Sequence, residues 1–331
     1  MSKQIYALGT AAGVVGTLGL GALVARRFLF PAPYSAAATV LSTTDTDVEL
    51  TATRDTRLPG TYRLQRDAQS VRVGKILTSD GAAVRREASA KATAGEWAWD
   101  ALMYDSVDDV PGATPGATTT HVIHVHGQSL GPRQVFRGIG VWRSLGASSE
   151  VIDLTDLPLR SLDSAAADRI IASVHAARER GATRVVLHGW SAGALACSIA
   201  ATRVDVDALV GISPLLSVKS ALQGAVAAAH LPRFVGSVAY RVAGTPALSR
   251  LARAAVPVQT TNWQLSEAPT LLVHSEADTL VNDADVAALA AHSTVETARF
   301  ETAPHTLEWN EDPERWEGLI RSFAEKHSLA G

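Results

Sequence analysis

Gly189-Trp190-Ser191-Ala192-Gly193 sets one serine between glycines two residues away on either side. Before it runs Arg184-Val185-Val186-Leu187-His188, apolar and β-branched; after it runs Ala194-Leu195-Ala196-Cys197-Ser198-Ile199-Ala200-Ala201, rich in helix formers. A strand–Gly-x-Ser-x-Gly–helix predicts a turn sharp enough to lift the serine hydroxyl above a sheet. The glycines remove Cβ atoms that would collide in such a turn. Small Ala192 lets its N–H face a developing oxyanion. The pattern alone arises by chance in roughly one chain of this length in ten, so the rest of the chain has to decide whether it is chemical.

A serine nucleophile needs a base to take its proton and an acid to orient that base. In the chain order Ser, Asp or Glu, His, the acid is sought after the strand Thr270-Leu271-Leu272-Val273. Asp278 stands there, in His274-Ser275-Glu276-Ala277-Asp278, with Glu276, Asp283 and Asp285 as local rivals. The base is His305, in Pro304-His305-Thr306 after the next strand; His292 falls in the preceding helix and His327 in the tail. The remaining element is His126-Gly127-Gln128, after Val122-Ile123-His124-Val125. Gly127 lets the backbone turn so that the Gln128 N–H, with that of Ala192, forms a two-donor oxyanion hole. His121, His124 and His126 also suggest a metal site, but no following Asp-His run completes one, and no metal or cofactor is expected. Trp190 and Trp142 read as packing, and Cys197 as a small buried hydrophobe.

These residues need a scaffold that brings strand ends together. From His121 onward strands and helices alternate, the signature of a mostly parallel sheet with helices on both faces. The strands are expected at 122–125, 150–152, 184–187, 208–212, 270–273 and 295–300. Helices are expected at 165–180, 283–291 and 315–325. The interval between Ser213 and Ala268 is longer than a crossover requires; helical patterns at 218–229, 234–242 and 247–255 mark a helical cap. Earlier, strands are expected at 48–52, 61–64, 71–77 and 83–86, a small β-rich region with no visible chemistry. Pro111 to Gly116 reads as a linker.

Of the 331 residues 47% are hydrophobic, and a net charge of −3 leaves no electrostatic footprint for nucleic acid. The single cysteine excludes an intrachain disulfide framework. Ile5 to Ala25 carries no charge, and about 20 apolar residues suffice to cross a bilayer. A single-pass anchor is therefore expected at the N-terminus, its membrane orientation open. A cleaved signal peptide ending near Ser35-Ala36-Ala37-Ala38 is the competing reading. The expected division is 1–34 anchor and linker, 35–118 β-rich region and linker, and 119–331 catalytic domain with the cap at 213–268.

With these motifs in order, residues 120–327 resemble the α/β-hydrolase superfamily. The residues that carry the resemblance are His126-Gly127, Gly189 to Gly193, His274-Ser275-x-x-Asp278-x-x-Val281, His305, and Trp309-Asn310-x-Asp312-Pro313. The chain looks more particularly like membrane-anchored hydrolases of actinobacteria, through Leu58-Pro59-Gly60-Thr61-Tyr62 and Gly95-Glu96-Trp97-Ala98-Trp99-Asp100. The resemblance implies an α/β-hydrolase fold and a serine hydrolase, without fixing a substrate. Ser275 stands where many members have glycine, and the oxyanion turn is not a glycine run. The expectation is hydrolysis of small-molecule or lipid-like carboxylic esters. Peptide or thioester cleavage is the alternative on the same fold, and an inactive membrane-tethered binding protein the alternative of another class.

Overall fold

The computed structural model describes residues 2–30, 36–112, 118–128, 130–157, 164–253, 257 and 262–330, with side chains from residue 16 onward. The chain opens with helix α1 (Ser2–Leu29). Six short strands follow: β1 (Ala36–Thr43), β2 (Asp47–Thr51), β3 (Tyr62–Arg66), β4 (Gln69–Ser79), β5 (Ala83–Ala88) and β6 (Gly95–Asp100). They pair antiparallel in the order β1-β2-β5-β4-β3-β6 and close into a barrel. Closure leaves no unpaired edge. Alternate side chains point inward, so Val40, Val48, Leu50, Tyr62, Leu64, Val71, Val73, Trp97 and Trp99 fill the interior. β1 and β6 are absent from the sequence reading. Ala36-Ala37-Ala38 has little strand propensity of its own, and β1 is a strand because its backbone is paired on both sides by β2 and β6.

Beyond the barrel, strands alternate with helices. They are β7 (Thr120–Val125), α2 (Phe136–Ser144), β8 (Ser148–Ile152), α3 (Ala165–Glu179), β9 (Arg184–Trp190), α4 (Ala192–Ala201) and β10 (Ala208–Ile212). Three inserted helices come next, α5 (Val218–Ala228), α6 (Arg233–Gly244) and α7 (Pro246–Ser249). The chain then returns through β11 (Thr270–Ser275), α8 (Asp283–Ala290), β12 (Val295–Phe300), α9 (Glu308–Glu311) and α10 (Pro313–Lys326). The six strands form one sheet in the order β12-β11-β10-β9-β7-β8, every neighbouring pair parallel. This is the α/β-hydrolase fold the resemblance implies.

Both faces of the sheet are covered, which is why the inner strands β9, β10 and β11 are mostly apolar, while the edge strands β8 and β12 keep polar residues. Val122, Val186, Val210 and Leu271 face α2 and α10, packing with Ile139, Trp142, Trp316 and Phe323. Their neighbours Ile123, Val185, Leu209 and Leu272 face the other way, onto Ile170, Val174, Cys197 and Val286 from α3, α4 and α8. Cys197 is fully buried, and burial pushes its thiol pKa up. Strand order reverses around β7, which has β8 on one side and β9 on the other. The crevice beyond the carboxyl ends of β7 and β9 is therefore the expected ligand position.

The N-terminal helix corrects the sequence reading. Among the described residues no helix is long and apolar enough to cross a membrane, so the expected single-pass membrane anchor is not found. The last three turns of α1 are instead packed on protein. Ala22, Ala25 and Leu29 are buried in one cluster with Val218, Leu222, Ala239 and Val242 of α5 and α6. An apolar run is required by any helix whose sides are covered, whether by lipid or by protein; here that end lies against other helices. Pro31 to Ser35, residues 113–117 of the expected linker, and residues 254–256 and 258–261 of the expected cap lie outside the described residues.

Candidate active site

Ser191 leaves β9 with φ 51 and ψ −118, a left-handed conformation that a serine adopts only under constraint. The constraint is visible. Its N–H donates to Ile212 O at 2.9 Å and its carbonyl accepts the Leu215 N–H at 3.1 Å, pinning the turn to β10 and the chain after it. The flanking glycines are required by contact. A Cβ on Gly189 would meet Ala194 Cα at 2.5 Å, and one on Gly193 would meet His126 O at 2.4 Å. Ala192 is the first residue of α4, and the N–H of a first helical residue has no acceptor within its own helix.

Asp278 and His305 arrive from neighbouring strands. Asp278 follows β11 and is buried; its Oδ1 accepts the Leu280 N–H at 2.8 Å and the Val281 N–H at 3.3 Å. Its Oδ2 lies 2.7 Å from His305 Nδ1, and His305 Nε2 lies 2.8 Å from Ser191 Oγ. A nitrogen facing a carboxylate carries the proton, so Nε2 presents its lone pair to the serine hydroxyl. The three residues expected from sequence thus lie in one hydrogen-bonded chain, and the rival carboxylates are elsewhere: Glu276 pairs with Arg299 and Asp283 lies beside His274.

Charge and burial act against each other at this pair. Burial alone would raise the Asp278 pKa, but the His305 charge and hydrogen bond, with those of the Leu280 N–H and Ser213, hold it below the usual carboxylate value. Burial alone would lower the His305 pKa, and the Asp278 carboxylate more than offsets it, so His305 sits above the ordinary histidine value. An imidazole so placed can accept the hydroxyl proton and hold it as an imidazolium.

The turn after β7 lies against the serine: a Cβ on Gly127 would fall 3.1 Å from Ser191 Cβ and 3.1 Å from Trp190 O. The Gly127 N–H donates to Gln134 Oε1 at 2.7 Å, and Leu154 N–H donates to His126 Nε2 at 2.9 Å. That leaves His126 Nδ1 to donate to Gly127 O at 2.5 Å. Gln128 is the next residue of this turn, and Ala192 directly follows the serine. The Gln128 side chain turns away and donates to Phe28 O and Leu29 O, at 2.9 and 3.2 Å, the last carbonyls of α1.

The three histidines considered for a metal go to different places. His121 meets Ser148 and Glu150, His124 meets Ser149, and His126 shapes the turn. Among the described residues no group of three or more ligand-type side chains could hold a metal ion. Trp190 and Trp142 are buried around His188, whose Nδ1 accepts the Trp142 N–H at 3.0 Å.

Two residues at the site are missing from the sequence reading. Glu308 is fully buried, hydrogen-bonded through Oε1 to Ser213 Oγ, and its Oε2 has no hydrogen-bond partner among the described residues. Ser213, at φ 41, also accepts the Thr306 N–H at 2.8 Å. Burial, reinforced by the Asp278 charge, raises the Glu308 pKa to about 7. The only signal in sequence is its place three residues after His305, ordinary for a surface helix.

The family described as Domain of unknown function (DUF8805) matches residues 39–99, the barrel. No curated protein matches the chain. The solved structures it is similar to include the Pyrococcus furiosus esterase Pf2001, at 14% identity and TM-score 0.49, covering 89% of this chain and 99% of that one. Another is XC6422 from Xanthomonas campestris, a member of the a/b serine hydrolases without lid, at 15% identity and TM-score 0.44, covering 90% and 96%. A third is Est1E from Butyrivibrio proteoclasticus, at 15% identity and TM-score 0.43, covering 81% and 99%.

Proposed function

We propose that this protein is a serine hydrolase that cleaves carboxylic esters through Ser191, His305 and Asp278. One observation carries the reading: an unbroken hydrogen-bonded chain from a buried carboxylate through an imidazole to a serine hydroxyl, at 2.7 and 2.8 Å. His305 Nε2 takes the Ser191 proton as Oγ attacks the acyl carbon. The Gln128 and Ala192 N–H groups receive the oxyanion; loss of one such donor typically costs on the order of 10²–10³ in rate. The imidazolium returns its proton to the leaving alcohol, and a water, deprotonated by the same nitrogen, releases the acid and restores the serine. Asp278 holds the imidazole tautomer and stabilises its charged form. The sequence needs no cofactor.

The same steps serve a thioester or a peptide, so the substrate class is decided by assay. Purified protein is to be offered short- and long-acyl esters, matching thioesters and peptides, and a fluorophosphonate probe. Esters are expected to turn over fastest, and Ser191→Ala to lose both turnover and labelling. Full turnover in that variant would end the mechanism, and folded wild-type protein that takes no label would favour the binding-protein reading.

A further inference from the structure

Leu58-Pro59-Gly60-Thr61-Tyr62 leads from the barrel loop into β3 and lies against the segment that carries His305. The Thr61 N–H donates to Asn310 O at 2.7 Å, and Asn310 Nδ2 donates back to Thr61 O at 2.7 Å and to Ala101 O at 2.9 Å. Gly60, at φ 93, lies so close that a Cβ would fall 1.8 Å from Asn310 O. At Gly60 and the Thr61 N–H, backbone therefore docks directly on the Asn310 backbone.

The loop is held from inside the barrel by Arg86, fully buried in β5. Its guanidinium donates to Thr56 O at 2.9 Å, Leu58 O at 2.7 Å, Gly60 O at 2.6 Å and Gly74 O at 2.9 Å. It also lies over the rings of Tyr62 and Trp99, at 5.5 and 5.4 Å. These acceptors are carbonyls, three of them in the loop, so the cation is spent on fixing loop backbone.

On the far side of Asn310 the chain of contacts runs into the site. Asn310 Oδ1 accepts from Arg137 Nη1, and Arg137 Nη2 reaches Thr306 O at 3.3 Å, one residue from His305. Thr306 Oγ1 accepts from Gln134 Nε2 at 3.3 Å, and Gln134 accepts the Gly127 N–H of the oxyanion turn. A second tie meets the same region. Arg63 of β3 and Arg133, next to Gln134, share Asp100 and Asp105 at 2.5 to 3.1 Å.

We propose that the β-barrel is a positioning element for the active site. Arg86 fixes the 56–60 loop, and Asn310 passes that fixed position through Arg137 to the loop holding His305. The barrel supplies no reacting group; it determines where the imidazole sits between Asp278 and Ser191. This rests on His305 being the base proposed above. Misplacing such a group by about 1 Å costs on the order of 10²-fold.

The test uses the full chain. Asn310→Asp keeps the oxygen that meets Arg137 and replaces the amide donors facing Thr61 O and Ala101 O by an oxygen. The expected result is an ester kcat at least tenfold lower with KM within twofold. Val71→Ala, a cavity in the barrel interior opposite Leu64 and two residue pairs along from Tyr62, is the control: it lowers the melting temperature and leaves kcat unchanged. Gly60→Ala reads the same contact from the barrel side and is expected to lower kcat as Asn310→Asp does. Unchanged kcat in either folded variant, or an equal fall in Val71→Ala at matched loss of stability, overturns the proposal. In the unaltered chain, the Thr61 and Thr306 amides are expected to open to hydrogen exchange together, and independent opening overturns it without any variant. Fluorophosphonate labelling of the wild type separates the two ideas. Labelled Ser191 with kcat unchanged in Asn310→Asp removes the brace alone, whereas no labelling removes the reading of the site and the brace with it.

Discussion

Replacing Glu308 by glutamine is the sharpest probe of the buried charges behind the site. The glutamine has the shape of the protonated acid and is neutral at every pH. Folding raises the Glu308 pKa from an ordinary 4.5 to about 7, chiefly through burial. A carboxyl raised on folding binds more protons native than unfolded between those values, so stability falls as pH rises through that window. At about 1.4 kcal/mol per pH unit, the loss between pH 5 and pH 8 comes to between about 2 and 3 kcal/mol. Glu308 is fully buried, so solvent screening takes little from it. The assay is urea unfolding of wild type and Glu308→Gln at both pH values. Wild type is expected to lose about 2 to 3 kcal/mol more than the variant over the interval. Parallel stability profiles would refute the argument and put Glu308 at an ordinary pKa. Activity supplies a second readout. An ionised Glu308 favours the His305 imidazolium, so the acid limb of kcat/KM is expected at lower pH in the variant.

In the wild type that acid limb is expected above about 6.5, the ordinary histidine value, because Asp278 raises the His305 pKa; activity then falls as pH drops through it. A limb centred below 6 in a kcat/KM profile would contradict the pairing. Asp278→Asn removes the raising charge and leaves burial, so the limb moves down while kcat falls by on the order of 10³–10⁴. Gln128→Ala removes two hydrogen bonds to the last carbonyls of α1 and keeps the backbone N–H. It is expected to cost about 1 kcal/mol and to speed hydrogen exchange over residues 18–29, with kcat within tenfold. A fall of 10² or more would mean that the side chain, not the N–H, serves the oxyanion.

Much of the α/β half, from β7 onward, was legible in the chain. The inner strands β9 to β11 announced themselves because a strand covered on both faces must be largely apolar, giving short apolar runs between helical patterns. The elbow was legible because its glycines answer a local collision, settled within five residues. The barrel was half legible: β3 alternates apolar and polar residues cleanly, whereas β1 is a strand by virtue of its partners. The apolar run at the N-terminus was misread for a related reason. Hydropathy records that a surface must be covered, and only the packing of Ala22, Ala25 and Leu29 on α5 and α6 shows what covers the end of that helix.

The sequence by itself determined the order and type of the proposed reacting groups: a serine in an elbow, then an aspartate and a histidine, each past a strand end. Those are properties of short segments, and short segments are what local sterics and periodicity write. Only the tertiary structure decided that Asp278 and not Glu276 or Asp283 meets His305, that Glu308 and Ser213 back it, and that the barrel loop docks on Asn310. Each of those depends on residues distant in the chain being brought within about 3 Å. A carboxylate's pKa likewise follows from burial and neighbouring charge, which exist only once the chain has folded.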